Sequence, residues 1–470
     1  MSFVLLVSCY ELGRQPFNIA SPWAQLEAAG FDVAGIDTAI DDLASAPVEG
    51  SRLVAISVPM HTALRLGVEV ARHIRQREPD AHICFFGLYA ALNAEVLLGR
   101  EADSVIGGEF EAALVALAES LARRGSADVE GVVTARGSSN ISILRKLPFI
   151  LPRRDGLAPL DRYATFFGPR EGEVRKVGYV EATRGCLHRC RHCPITPVYQ
   201  GRFFIVPADV VIGDAAQQIA AGAGHITFGD PDFFNGPKHG MRIVQLLHEK
   251  HPGVSFDVTI KIEHMLKHRE LLPELASLGC AFVVSAVESL SDRVLAELDK
   301  GHTRADVFEA LRLCRNAGIA LRPSFVAFTP WTSLDDYIEL VDWVVDEGLI
   351  DHLEPIQLAI RLLLPPGSAL LSHAAERPWL GESVPEEFGH RWQHPDPRMD
   401  ALYEEVSAII EEDHDPGVLV LRIRERAYRA AGREVPSHRM PPRRFVPRLS
   451  EAWFCCAEPS ARQLNHLRSE

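Results

Sequence analysis

The feature that most constrains the fold is a strand–helix rhythm that runs twice along the chain. Short apolar, partly β-branched runs at 3–8, 31–36, 53–58, 83–87 and 104–106 are separated by helical patterns at 21–29, 62–76, 90–98 and 111–123. Strands that alternate with helices predict a parallel, doubly wound sheet. Five strands in this order suit a flavodoxin-like α/β fold, whose ligands sit outside the carboxyl ends of the strands. Those ends carry Cys9-Tyr10-Glu11-Leu12-Gly13, Pro59-Met60-His61-Thr62 and Gly107-Gly108-Glu109. The rhythm returns at Lys176 and predicts six further strands, at 177–182, 225–228, 255–260, 281–287, 319–328 and 352–358. Six βα units fall two short of a closed eight-fold barrel.

The stretches outside the rhythm set the expected organisation: residues 1–125 a doubly wound domain, 126–175 a linker rich in turn residues, 176–369 a partial barrel, and 370–470 a C-terminal extension. Only one helix, 398–413, is predicted in the extension. At 470 residues the chain is too long for one ordinary core. Its net charge of −14 argues against a protein built to hold nucleic acid. It lacks an apolar run of membrane-spanning length. The N-terminus reads as a first strand, not a signal peptide. Nine cysteines, three of them clustered, do not form a disulfide framework, and a cytoplasmic location is expected.

The cluster is Cys186-Leu-His-Arg-Cys190-Arg-His-Cys193, spaced C-x3-C-x2-C at the end of the first barrel strand. A closed zinc site needs four ligands, and only His188 or His192 stands near enough in sequence to be the fourth. Three thiolates holding a cubane iron–sulfur cluster would leave one iron open to a small molecule. The spacing resembles that of the radical S-adenosylmethionine (SAM) superfamily. The resemblance implies a six-stranded partial barrel, a [4Fe-4S] cluster held by Cys186, Cys190 and Cys193, and SAM chelated at the open iron. It implies reductive cleavage of SAM to a carbon radical that acts on a small-molecule substrate, with an electron donor such as flavodoxin or ferredoxin. His192 would sit near the adenine. Gly229 and Asp230, in Thr227-Phe-Gly-Asp-Pro-Asp232, occupy the place of a segment that contacts the SAM amino group. Glu288 and Ser289, after the fourth strand, would meet ribose and methionine. Arg322 and Ser324 come from the fifth strand, and Arg322 would grip the carboxylate. Two of these have a plainer reading: Asp230 as a turn cap, and Ser289, or Ser291 after it, as a helix cap.

The N-terminal half resembles the cobalamin-binding domain that precedes many radical SAM cores. No D-x-H-x-x-G supplies a histidine to cobalt, so cobalamin is expected to be absent or weakly bound. The tail Cys455-Cys-Ala-Glu-Pro459 resembles that of the CUAEP/CCAEP-tail radical SAM family. Cys455 and Cys456 would act near the substrate, as a dithiol, as metal ligands or as a hold on a soft acceptor such as arsenite; the alternative is a pair of small buried hydrophobes. Transfer of a SAM-derived group, methyl or aminocarboxypropyl, is the second enzymatic reading. A non-catalytic iron–sulfur sensor is the rival from another class.

Overall fold

A computed structural model describes residues 3–137, 142–372, 376–412, 414–437, 443–451 and 458–468. The first sheet contains β1 (Phe3–Ser8), β2 (Asp32–Asp37), β3 (Ser51–Ser57), β4 (His82–Phe86), β5 (Ser104–Gly108), β6 (Val132–Thr134) and β7 (Ser142–Ile143). Its main path is β2-β1-β3-β4-β5-β6, parallel as far as β5. This is the flavodoxin-like order. Helices cover both faces, so β1 and β3 read as nearly unbroken apolar runs. One face packs on Leu5, Val7, Val54 and Ile56, the other on Val4, Leu6, Leu53 and Ala55.

The 126–175 stretch is more structured than its turn residues suggest. β6 adds an antiparallel edge to β5, and β8 (Thr165–Phe167) pairs with the first barrel strand, β9 (Val174–Val180). Between them, Arg153 N–H donates to Ala20 O at 2.9 Å, and the buried Arg154 guanidinium spans Asp214 Oδ2 and Tyr179 O, each at 2.8 Å. The stretch is thereby stitched to both halves.

The second sheet is a curled, partial barrel. Beyond β9, and the short β10 (Thr183–Gly185) and β11 (Phe203–Ile205), which pair apart from it, its strands are β12 (Ala223–Phe228), β13 (Ser255–Thr259), β14 (Cys280–Glu288) and β15 (Ala320–Phe325). They run parallel in the order β15-β14-β13-β12-β9. The predicted sixth strand, 352–358, is a pair of 3-10 turns, Ile350–His352 and Pro355–Leu358. Pro355 cannot donate to a ladder. Pairing resumes only as one parallel bridge, Phe328 with Arg361, where Phe328 N–H donates to Ile360 O and Leu362 N–H to Phe328 O. The floor is plugged by Phe166, Val177, Phe282 and Val284, with Phe166 stacked on His225 at 4.0 Å.

The C-terminal extension holds the hairpin β16 (Leu380–Val384) and β17 (Gly389–Trp392), then helices Pro397–Ile410 and Pro416–Ala430. The second helix was not predicted, although Asp415 caps it and Pro416 opens it. β18 (Arg448–Leu449) joins the barrel sheet through β8. The final helix, Ala461–Arg468, returns to the N-terminal domain, packing Leu464 and Leu467 on its core. No helix among the described residues is long and apolar enough to cross a membrane.

Candidate active site

The carboxyl ends of both parallel sheets face one cavity of about 430 Å³. The barrel contributes Tyr179, Glu181, the three clustered cysteines, His192, Gly229, Asp230, Glu288 and Ser324. The N-terminal domain contributes Glu11, Leu12, Arg14, Met60, Leu88 and Phe110.

The cysteine loop leaves β10 through Gly185, at φ +78°. A Cβ there would stand 2.5 Å from Arg202 O, so no larger residue fits the turn. Cys186 and Cys190 are buried, and Cys193 N–H folds back to Cys190 O at 3.2 Å. Burial pushes the Cys186 thiol up to about 11 and Cys193 up to about 12. Metal ligation, which requires thiolates, supplies the positive charge that burial alone withholds. Neither histidine of the loop serves as a fourth ligand. His188 Nε2 lies 3.0 Å from Asp232 Oδ2, and His192 Nε2 lies 3.1 Å from Glu288 Oε1. Three soft donors without a fourth among the described residues fit a cubane with one open iron better than a closed zinc site.

Glu288 adopts φ +64°, a left-handed conformation uncommon for a side-chain-bearing residue. Its carboxylate meets His192 and, at 3.1 Å, the buried Lys300 ammonium. Burial opposes the charge, but Lys300 and His192 together hold Glu288 well below the usual carboxylate range. Gly229 lines the cavity where Tyr179 closes over it: a Cβ would stand 1.7 Å from Tyr179 Oη. Asp230 is turned toward the chain. It accepts from Ala182 N–H at 3.0 Å and Thr183 Oγ1 at 2.6 Å, while burial raises it to about 6. Its plainer role, capping the segment before the cysteine loop, is therefore filled.

Two predicted residues lie off the cavity. Ser289 Oγ accepts from Ser291 N–H at 3.1 Å, forming the turn into the next helix. Arg322 faces the barrel floor, with Nη1 3.4 Å from both Asp351 O and Pro447 O, and packs over Phe282. Ser324, two residues further along the strand and about 6–7 Å higher, reaches the cavity. Cys455 and Cys456 lie outside the described residues.

Several cavity residues were missed by sequence reasoning. Tyr179 and Glu181 carried a period-two signal at the end of the first barrel strand; Lys300, on a connection between helices, carried none. Arg184, in the cavity wall, joins the domains, with Nη1 2.6 Å from Glu111 and 3.4 Å from Glu109, and Nε 3.0 Å from Glu181. Glu11 accepts from Phe17 N–H at 2.9 Å. Burial, with Asp37 and Glu181 adding repulsion and Asn18 opposing it, raises Glu11 to about 8.

A carboxyl group raised on folding stabilises the protein below its unfolded pKa and loses that contribution as pH rises through the folded value. Glu11→Gln keeps the acceptor oxygen and removes the titration. The variant should match wild type near pH 5 and exceed its stability above pH 8 by about 1–3 kcal/mol, measured by urea unfolding at both pH values. A constant difference across pH would show that Glu11 is not the titrating group.

Residues 180–348 match the Radical SAM superfamily. Hopanoid C-3 methylase of Methylococcus capsulatus is 24% identical over 329 residues, 68% of this chain and 62% of that protein. A putative methylthiotransferase of Methanocaldococcus jannaschii is 22% identical, over 61% of this chain and 62% of its own length. The chain thus spans 62% of the length of each of these curated relatives. Among solved structures, the cobalamin-dependent SAM radical enzyme OxsB, with aqua-cobalamin and SAM bound, superposes with a TM-score of 0.68 at 16% identity, covering 87% of this chain and 67% of its own. The radical SAM methyltransferase TsrM from Kitasatospora setae, with cobalamin and a [4Fe-4S] cluster bound, gives 0.63 at 18% identity, covering 92% and 88%. The fold, the family match and the three-thiol loop agree: residues 180–348 form a radical SAM superfamily core, a partial barrel that follows a doubly wound N-terminal domain in an arrangement shared with OxsB and TsrM.

Proposed function

We propose that the protein is a cobalamin-assisted radical SAM methyltransferase acting on a small molecule. This departs from the expectation, drawn from the missing D-x-H-x-x-G, that cobalamin is absent or weakly bound. The observation that carries the proposal is the shared cavity: the carboxyl ends of the N-terminal sheet stand across it from the cysteine loop. A ligand on the first domain would face a ligand on the second. The names of the similar proteins, a methylase, a methyltransferase and a cobalamin-dependent enzyme, favour the same reading.

The donor set suits a cobalamin without a protein ligand to cobalt. His61, at the mouth of the N-terminal sheet, is fully buried and engaged by Glu458 at 2.7 Å. The facing wall is Leu12, Met60, Leu88 and Phe110, an apolar surface for a large ring. Bound here, a reduced cluster supplies the electron that breaks a carbon–sulfur bond of SAM, and cobalamin supplies a carrier for methyl. Cys186, Cys190 and Cys193 hold the cluster. His192, the Gly229 backbone and Glu288 orient SAM. Glu11, raised by burial to about 8, holds a proton at the cavity wall and can donate to a polar substrate. The aromatic and aliphatic wall excludes water from a reactive radical. A one-electron donor such as flavodoxin or ferredoxin completes the proposal.

Equilibrium dialysis of the cluster-loaded protein with hydroxocobalamin should give one bound cobalamin per chain. Addition of reductant and SAM should then yield S-adenosylhomocysteine and, with substrate, 5′-deoxyadenosine. If cobalamin is not retained while 5′-deoxyadenosine still forms, the enzyme is a hydrogen-abstracting radical SAM enzyme without methyl transfer.

The Cys455-Cys456-Ala-Glu-Pro459 tail supports assignment to the CCAEP-tail group and a role for its thiols in turnover. The described residues on either side, Glu451 and Glu458, bond Tyr10 Oη at 2.6 Å and His61. The Cys455→Ser, Cys456→Ser double variant should keep its iron and cleave SAM without substrate, yet lose product formation. Product at the wild-type rate would make the pair structural.

A further inference from the structure

Beside the cysteine loop lies a cluster of histidine and aspartate side chains that the proposed reaction does not use. Asp232, 2% exposed by side chain, directs Oδ2 at two imidazoles: His188 Nε2 at 3.0 Å and His264 Nδ1 at 2.7 Å. The two nitrogens stand 3.4 Å apart. Asp232 Oδ1 accepts from Phe234 N–H at 3.1 Å, which fixes the carboxylate plane. His188 rises from the cysteine loop, Asp232 from the segment after β12, and His264 from the helix Ile262–Lys267 after β13. Three separate elements therefore converge on one point.

We infer that His188, Asp232 and His264 form a site for a divalent ion of the zinc or ferrous kind, distinct from the cysteine-bound cluster. Two imidazoles and one carboxylate are a common donor set for such ions, with open positions left for an exogenous ligand. Bonds of ~2.0–2.2 Å to one ion would place neighbouring donors ~2.9–3.6 Å apart. The observed separations of 2.7, 3.0 and 3.4 Å need little adjustment to meet that geometry. As a hydrogen-bond network the arrangement is poor. Both imidazoles must donate to one oxygen, leaving two N–H groups facing each other across 3.4 Å. An ion replaces both protons and removes that conflict. His188 and Asp232 line the cavity, so the open positions face it. A carboxylate or hydroxyl of the substrate is the ligand such a position takes.

Lys261 sets the competition. Its ammonium lies 3.1 Å from His188 Nδ1 and 3.0 Å from Glu263 Oε2. An ammonium only donates, so it holds the His188 lone pair on Nδ1 and the proton on Nε2, the ion-free tautomer. Ion binding moves that proton to Nδ1, where Glu263 Oε2, 3.8 Å away, is the acceptor, the arrangement metal-bound histidines prefer. Removing the ammonium should therefore tighten the site.

The full-length, cluster-loaded protein, freed of loosely held ions by chelator and gel filtration, is titrated anaerobically with cobalt(II). Wild type should take up one cobalt per chain beyond the cluster, with visible bands of nitrogen and oxygen ligation and no new thiolate charge-transfer band. His264→Ala should weaken that binding by about tenfold or more while keeping its cluster iron, which reports that it has folded. Lys261→Met should bind cobalt more tightly than wild type. Equal binding in wild type and His264→Ala, thiolate bands alone, or weaker binding in Lys261→Met would overturn the assignment.

Discussion

Replacing Cys186, Cys190 and Cys193 together by alanine should strip the anaerobically reconstituted protein of its acid-labile sulfide and of the irons of its cluster, about four per chain. The electron paramagnetic resonance signal of the reduced protein, and its change on adding SAM, should vanish with the iron. So should the release of every SAM fragment, because the electron that breaks the carbon–sulfur bond has no other source among the described residues. The fold should survive: the loop lies at the carboxyl end of the barrel, above a core of Val180, Ile226, Val258 and Val287 that it does not supply. Far-ultraviolet circular dichroism therefore separates loss of cluster from loss of structure. Stoichiometric zinc in the wild type, with no iron uptake, would end the radical reading.

Lys300→Met should be the most damaging single substitution away from the cysteines. The ammonium is 4% exposed by side chain and stands 3.1 Å from Glu288 Oε1. Glu288, also buried, would be left with His192 as its one remaining partner among the described contacts. Breaking a buried pair from one side typically costs about 3–5 kcal/mol, since the remaining charge keeps its desolvation penalty. The pH dependence has a defined sign. Glu288 is depressed on folding, so its stabilisation is present above the unfolded carboxyl pKa of about 4.3 and fades as pH falls through the lower folded value. In Lys300→Met that contribution shrinks, and the stability deficit should be largest at pH 7 and should narrow as the pH falls below about 4. The double variant Lys300→Met, Glu288→Gln should recover part of the loss. A single variant within 1 kcal/mol of wild type at pH 7, by urea unfolding, would show that the pair is solvated.

The contrast between Arg322 and Lys300 shows what the sequence could and could not carry. Strand periodicity puts Arg322 and Ser324 on the same, inward face of β15. It does not say how deep in the barrel each residue lies. Arg322 sits at the floor beside Phe282, where β8 and β18 close the bottom, and both closing strands come from segments with no strand rhythm. Lys300 is the converse. It follows Asp299, whose φ of +55° ends a helix, and nothing in that short connection signals a cation buried against Glu288. The doubly wound sheet was legible because burial on both faces writes itself as unbroken apolar runs. The cysteine triad was legible because local spacing fixes local geometry. The triad of His188, Asp232 and His264 was not, because its members are separated by 44 and 32 residues, and only the barrel's curvature brings them together.

Arg184 has a consequence for how the protein can be divided. Its one guanidinium, buried with Glu109 and Glu111 of the first domain, also answers Glu181 of the second. A fragment ending near residue 137 would keep two of those carboxylates without their cation; a fragment beginning near residue 142 would keep the cation with a single carboxylate. Neither piece inherits a neutral cut face. The halves are therefore poor candidates for exchange between homologues, and a chimera grafted at the connection would need both carboxylates of one parent to travel with the arginine of the same parent.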